Sequence, residues 1–316
     1  MSSRMNGRPF EADEPARPGP FDLDRFPHRL ARAFRPPARP AFFGRPFRYF
    51  EEVSSTNDIA LEWAGLEAAA GPAPEGAMVL AASQTGGRGR AGRTWVSRAG
   101  AGFWFSVVLR PGLAYPEAGF LPAALGFGVV DALRELGLDA GLKWPNDVLV
   151  RGRKIAGILV EGRTVAGVLV SAAAGVGLNW VPPDQPSGGD GSAVESRLHH
   201  PATGVASELV GGGRPPREIS PEGVLVAVLG GLEKAYLILK TAGPAPFLKS
   251  WPRFSAHFVR PVLVHPVEGS AYRALAGHVY PDGSLEVITE GGRRRLGAEE
   301  VSLEVSPLET RTTGRT

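Results

Sequence analysis

The chain has no cysteine, which excludes disulfides, thiolate metal centres and thiol nucleophiles and agrees with a reducing compartment. No apolar run reaches the ~20 residues of a bilayer-crossing helix, and the first residues lack the basic, apolar and small-residue order of a secretory signal. We therefore expect a cytoplasmic protein that does not enter a membrane. Gly-Lys-Ser and Gly-Lys-Thr are both absent, which removes the P-loop. Charge of one sign is scarce as well: 35 Lys and Arg stand against 32 Asp and Glu, a net charge of +3. An anionic partner must then be met by locally placed cations and not by an overall field.

What is present is a chain of 316 residues with 42 Gly and 29 Pro, long enough for two folded units and some irregular sequence. Residues 1–46 are rich in Arg and Pro without a sustained apolar period, and we expect a disordered extension there. Its positive charge is interrupted by Glu11, Asp13, Glu14, Asp22 and Asp24, which argues against a nucleic-acid arm, and it contains no helix-turn-helix pattern. Phe47 to Val53 is expected as a strand, followed by Ser55-Thr56-Asn57 as the N-cap of a helix through Ile59 to Ala64. Ala77 to Ala82 is a buried strand, and alternating Phe103, Phe105, Val107 and Leu109 mark another. A helix covers about Glu117 to Leu136. Strand-like runs at 141–144, 148–150, 154–161 and 165–179 are joined by turns too short for anything but antiparallel neighbours. The fold class is therefore α+β, a mixed or antiparallel sheet with flanking helices over residues 47–256. Ser220-Pro221-Glu222 opens a last helix, to about Leu239. Short strands with turn signals over 257–307 predict a small β-barrel, and 308–316 is a tail.

Three segments carry chemistry. Gly87-Arg88-Gly89-Arg90-Ala91-Gly92 satisfies the dinucleotide fingerprint, but Thr94 to Leu109 continues as strand where that fingerprint must open a helix. What remains is a glycine-rich loop with Arg88, Arg90 and Arg93, suited to a carboxylate or phosphate; the plainer reading is a solvated basic loop. Lys143-Trp144-Pro145-Asn146-Asp147 lies at a strand end, where Trp-Pro makes a rigid corner that aims Lys143 and Asp147. An ordinary turn would explain Pro-Asn-Asp, though not Lys-Trp inside a sheet. Gly175-Val176-Gly177-Leu178-Asn179 lets a ligand approach the backbone, or else packs a strand end.

In their order along the chain, Ser55-Thr56-Asn57, Gln84, the Gly-Arg-Gly-Arg loop ending in Trp95, Lys-Trp-Pro-Asn-Asp, Lys154 to Glu161 (Lys-Ile-Ala-Gly-Ile-Leu-Val-Glu) and Gly-x-Gly-x-Asn resemble the biotin protein ligases. The resemblance covers roughly Phe47 to Val305. It implies a class II synthetase-like catalytic domain with an SH3-like C-terminal barrel, and a reaction in which ATP activates the biotin carboxylate as biotinoyl-AMP before transfer to a lysine of a biotin carboxyl carrier protein. By the same resemblance Ser55, Thr56, Asn57, Gln84, Arg88, Gly89, Arg90 and Lys143 line the biotin site. Arg88, Arg90, Arg93, Trp95, Asn146, Lys154 and Asn179 serve ATP, with Trp95 on the adenine; packing in the core is the plainer role for Trp95.

Joining a carboxylate to a phosphate brings like charges together, at a cost of about 4 kcal/mol at ~4 Å and an effective dielectric of ~20. Arg88, Arg90, Arg93, Lys143 and Lys154 are the cations available, with Mg²⁺ expected on the phosphates. We assign catalytic roles to Lys143 and Arg90, to Lys154 around the α-phosphate, and to Asp147 in orienting or deprotonating the acceptor lysine. The glycine loop is expected to close over the reactive mixed anhydride. Two departures stand out. Ala91 occupies a position where arginine is common in the family, and the Arg/Pro extension stands where bifunctional relatives carry a DNA-binding domain, so no operator binding is expected. The protein is expected as a monomer or homodimer. Arg293-Arg294-Arg295 is solvated surface or a carrier contact, and His199-His200 lacks further metal ligands in spacing. The rivals are a lipoate protein ligase of similar fold and chemistry, and a basic nucleic-acid-binding module with steeply salt-dependent binding.

Overall fold

Alternation of side chains decides which way each strand of the sheet faces. In the computed structural model, which describes residues 21–34, 40–65, 71–183, 201–213, 220–298 and 301–305, Phe103, Phe105, Val107 and Leu109 of β3 (Gly102–Leu109) turn into the main core. Val108 of the same strand faces the opposite side, with Val79 of β2 (Met78–Gln84) and Ala173 of β8 (Val168–Asn179). Between them β1 (Phe47–Val53), β4 (Leu113–Ala114), β5 (Ala140–Lys143), β6 (Asp147–Val150) and β7 (Arg153–Val165) complete an eight-stranded sheet in the order β1-β2-β3-β8-β7-β6-β5, with β4 against β8. The β1–β2 pair is parallel and all other pairs are antiparallel, which makes the sheet mixed as expected.

Helix α2 (Thr56–Ala64) covers one face through Ala60, Trp63 and Ala64. The other face is covered by α3 (Leu121–Glu135) and α5 (Pro221–Ala242), whose close crossing rests on Gly128 and Gly231: a methyl on either would overlap the backbone oxygen of the other. Ser220 caps α5 as its sequence predicts, its hydroxyl accepting from the Gly223 N–H at 3.1 Å.

One difference from the sequence reading concerns a turn. Gly162-Arg163 does not form the expected turn. It lies inside β7 beside an irregular pairing, and the chain reverses at Ala166-Gly167, where both φ values are positive (47° and 76°) as a tight primed hairpin requires. A second difference is larger. Residues 21–34 and 40–46 are not a disordered extension: Phe26–Ala33 is a helix, α1, with Phe26 and Leu30 buried. Phe43 is buried too, and Glu233 of α5 accepts hydrogen bonds from the backbone N–H groups of Ala41, Phe42 and Phe43, each at 2.8 Å. Phe26, Leu30 and Phe34 do recur at four-residue spacing, but over two turns only and among Arg and Pro, and the acceptor Glu233 lies nearly two hundred residues away in sequence.

Helix α4 (Val205–Gly211) and α6 (Ala245–Phe254) complete the helices, the latter carrying Trp251 into the core. The C-terminal unit is a five-stranded antiparallel sheet of β9 (Pro261–Pro266), β10 (Tyr272–Val279), β11 (Leu285–Thr289), β12 (Gly292–Leu296) and β13 (Val301–Val305), in the order β12-β11-β10-β9-β13. Among the described residues its outer strands do not pair with each other to close a barrel.

Candidate active site

The site lies on the α2 face of the sheet and is built around a floor without side chains. Gly157 of β7 pairs directly with Gly177 of β8, and Gly175 lies two residues earlier on the same face of β8. At one end of this floor the Asn57 side chain lies so close over Gly175 that a methyl there would overlap its amide. At the other end the Trp95 indole lies over Gly177 and Gly157, with ring carbon Cζ3 2.9 Å from where a Cβ on Gly157 would stand. A Gly177→Ala variant must therefore displace Trp95. We expect a stability loss of about 1–3 kcal/mol from overpacking and a marked rise in the exposure of one tryptophan, read by fluorescence quenching; unchanged quenching would contradict the seat described.

The Asn57 end is a connected polar network. The Gln84 side-chain oxygen accepts from the Thr56 N–H (2.8 Å) and hydroxyl (3.1 Å), and its nitrogen donates to Ser97 at 2.8 Å. Ser55 occupies the N-cap position of α2 without a side-chain capping bond, so the expected cap is supplied instead by Gln84 from a neighbouring strand. The Ser106 hydroxyl, fully buried, lies 2.7 Å from the Thr56 hydroxyl and 2.6 Å from the Asn57 carbonyl oxygen. Asn57 in turn donates to Glu161 at 2.6 Å. Ser106 was not among the predicted residues, although its signal was there: it is the lone polar residue in Phe-Trp-Phe-Ser-Val-Val-Leu. A hydroxyl in such a strand calls for a partner.

The opposite end is ionic. Lys143, 5 % exposed, lies 3.5 Å from Asp147, and Lys154 is 2.6 Å from the other oxygen of the same carboxylate. Lys143 and Asp147 face each other across the β5–β6 pair, so the Trp-Pro corner does aim both. Burial pulls the Lys143 ammonium below its ordinary value, opposed by Asp147 and reinforced by Lys154 and Arg93. Burial alone would raise Asp147; Lys154, Lys143 and Arg93 outweigh it and bring the carboxyl down to about 2. Lys154 also lies 4.9 Å from the centre of the Trp95 ring, which ties the ionic end to the glycine floor.

Because the Asp147 value falls from 3.8 to about 2 on folding, its ion pairs stabilise the protein above pH ~4, and that contribution disappears as pH drops through ~2. The difference corresponds to about 2 kcal/mol. Urea midpoints of wild type and Asp147→Asn, compared between pH 4.5 and 2.5, should converge as the acid removes what the substitution has already removed. Parallel curves would overturn the assignment.

The structure distributes the remaining predicted residues unevenly. Arg88 forms a bidentate pair with Asp58 (2.9 and 2.5 Å) and reaches Glu161 at 3.1 Å, which raises its already high pKa. It thus closes the polar network and in this conformation is not held out for a phosphate. Arg90 reaches across to the carbonyl of Ala298, beside the C-terminal sheet. Just after Arg90 the loop turns at Ala91 with φ 54°, and the Gly89 N–H donates to the Arg93 carbonyl. Asn146 donates to the carbonyl of Ile158 at 2.7 Å and holds the corner to β7. Asn179, buried at the end of β8, donates to the carbonyl of Thr203 at 3.1 Å. Arg293 and Arg295 pair with Glu286 (3.2 Å) and Asp282 (2.6 Å), and Arg294 lies 5.7 Å from the Tyr272 ring centre. His199 and His200 lie outside the described residues, and among the described residues no group of three His, Asp or Glu side chains is placed to hold a metal ion.

Comparison with known proteins places this geometry. Residues 49–179 match the biotin/lipoate A/B protein ligase family. The biotin--[acetyl-CoA-carboxylase] ligase of Paracoccus denitrificans is 32% identical over 258 residues, 79% of this chain and 97% of that protein. The bifunctional ligase/repressor BirA of Bacillus subtilis is 29% identical over 263 residues, 82% of this chain and 74% of that one. The fold is shared with the biotin protein ligase from Aquifex aeolicus solved in complex with biotin and ATP, at a TM-score of 0.64 and 24% identity over 83% of this chain and 100% of that chain. The glycine floor, the lysine pair about Asp147 and the polar network all fall within or beside the matched segment, and the chain belongs to the biotin/lipoate A/B protein ligase family.

Proposed function

We propose that this chain is an ATP-dependent biotin protein ligase. The observation that carries the reading is the polarity of the floor: the hydrogen-bonding groups of Ser106, Thr56, Asn57 and Gln84 at one end, and at the other the buried Lys143 and the half-buried Lys154 about Asp147. Biotin has a matching polarity, a neutral ureido ring that both donates and accepts and a carboxylate at the end of an aliphatic tail. Ser106, Thr56 and Gln84 retain acceptor or donor capacity beyond the bonds they make to one another. The lipoate ring has no such hydrogen-bonding groups, and a site built around buried polar side chains rejects a ligand that leaves them unpaired.

In the first half-reaction a biotin carboxylate oxygen bonds to the α-phosphorus of ATP, the bond to the β-phosphate oxygen breaks, and pyrophosphate leaves. Lys143 and Lys154 offset the charge of the two anions. In the second, the neutral lysine amine of the carrier bonds to the acyl carbon, the bond from that carbon to the phosphate oxygen breaks so that AMP leaves, and the amine's proton passes to solvent. We assign Asp147 to orienting the acceptor amine and holding the two lysines, which in turn keep its carboxyl well below the usual carboxylate range. Mg²⁺ is expected on the phosphates of the nucleotide substrate. The acceptor we propose is the biotin carboxyl carrier protein of a biotin-dependent carboxylase. The loop around Arg90 is assigned to covering the adenylate, with the Ala298 carbonyl as its anchor.

The test is exchange of labelled pyrophosphate into ATP. Exchange with biotin and none with lipoate is expected; exchange with lipoate alone, or with neither, would defeat the reading.

A further inference from the structure

Strand β5 is the outer strand of the large sheet, so the backbone groups on its free side need partners from outside the ladder. The segment that follows α6 supplies them. Ser255 forms a single parallel bridge with Leu142, and the Ala256 N–H donates to the Leu142 carbonyl at 2.8 Å. Beyond that point the two backbones part, and the next N–H on the same side of β5, that of Trp144, is taken by a side chain: it donates to Nε2 of His257 at 2.8 Å. His257 is fully buried. Its other ring nitrogen, Nδ1, lies 3.3 Å from the Ser255 hydroxyl, and that hydroxyl accepts the His257 backbone N–H at 3.2 Å. With Nε2 accepting, the ring proton belongs on Nδ1, directed at Ser255. The ring packs edge-on against Trp251, with centroids 5.8 Å apart. The Trp144 indole N–H is held as well, by the carbonyl of Gly283 at 2.8 Å.

Trp144 directly follows Lys143, and the same corner delivers Asp147 to Lys143 and Lys154. We infer that His257 is a positioning residue for catalysis: its imidazole replaces the missing strand partner of Trp144 and fixes the corner from which Lys143 reaches the reacting carboxylate. The inference rests on the reading of Lys143 as the cation at that carboxylate. A hydrogen bond to the neighbouring backbone gives no new binding contact to biotin or ATP, so its loss should act on turnover and not on affinity.

Three variants test this by pyrophosphate exchange at saturating biotin and ATP, with Lys143→Ala as control. His257→Leu fills the space without an acceptor. His257→Gln places an amide oxygen near the position of Nε2, and His257→Asn faces Ser255 but is too short to reach Trp144. We expect His257→Leu and His257→Asn to lower kcat about 10- to 100-fold, the scale of a small misplacement of a catalytic group, with KM for both substrates within about threefold of wild type. His257→Gln should recover most of kcat. If the leucine variant does not fold, the Asn and Gln pair decides alone, since both keep a buried polar group. Equal kcat for Asn and Gln, or full kcat for Leu, overturns the inference. A Lys143→Ala variant with undiminished exchange would instead defeat the functional reading on which it stands, and a collapse of Lys143→Ala beside an unaffected His257→Leu would defeat the inference alone.

Discussion

Replacing Lys143 with alanine is expected to lower biotin-dependent pyrophosphate exchange about 10²- to 10³-fold, the usual consequence of deleting one preorganised group that meets transition-state charge. The size follows from where the ammonium sits. Lys143 is 5 % exposed, so its field is little screened by water, and its Asp147 partner is shared with Lys154. Removing Lys143 leaves the Asp147 carboxylate paired with Lys154 at 2.6 Å and cuts the local excess of positive charge that favours an incoming carboxylate back to the more remote Arg93. Folding should suffer far less than activity, because deleting an ammonium that burial already disfavours relieves a desolvation cost as it breaks the ion pair. Lys143→Arg should not restore the rate, since a branched planar guanidinium does not fit a seat closed around an ammonium. Exchange within a few-fold of wild type in a folded Lys143→Ala protein would remove Lys143 from the reaction.

The largest effect on stability is expected at Glu233, far from the chemistry. Its carboxylate takes three successive backbone N–H groups from residues 41–43, each at 2.8 Å, and one of these bonds is completely buried. Hydrogen bonds to a charged group contribute about 1.5–3 kcal/mol each and do not add fully, so Glu233→Ala should cost about 3 kcal/mol or more once the donors are stranded. Phe43 and its contact with the Tyr236 ring, at 5.7 Å, would loosen with them. Glu233→Gln retains one acceptor oxygen and should lose about half as much. Urea unfolding measures both. A loss under about 1 kcal/mol for the alanine variant would mean that the segment is held by its aromatic side chains alone.

The helix cap at Ser220, the alternation of β3 and the Lys-Trp-Pro corner were legible because each depends on residues within a few positions of one another. Gly175 and Gly177 were legible as a place where a ligand could approach the backbone or a strand end could pack, but the floor they make with Gly157 needed the pairing of β7 with β8. Helix α1 was not legible, because its short buried face of Phe26 and Leu30 is completed by α5 and by the Phe103 ring of β3. Nor was the cap of α2. Serine at its N-cap position is the ordinary local choice, yet the bond comes from Gln84, across the gap between two elements.

The sequence by itself determined the residue types on which the chemistry depends: a glycine loop with arginines, two lysines and an aspartate around a rigid corner, and a chain without thiols. These follow from covalent structure and short-range periodicity. Only the tertiary structure decided which cations stand where. It paired Arg88 with Asp58 and Glu161, gave Arg90 to the C-terminal segment, and left Lys143 and Lys154 sharing a single carboxylate. The reason is physical: a buried charge or backbone N–H must find a partner wherever the fold brings one. In this chain those partners, Glu161, Ala298, Glu233 and His257, lie tens to hundreds of residues away.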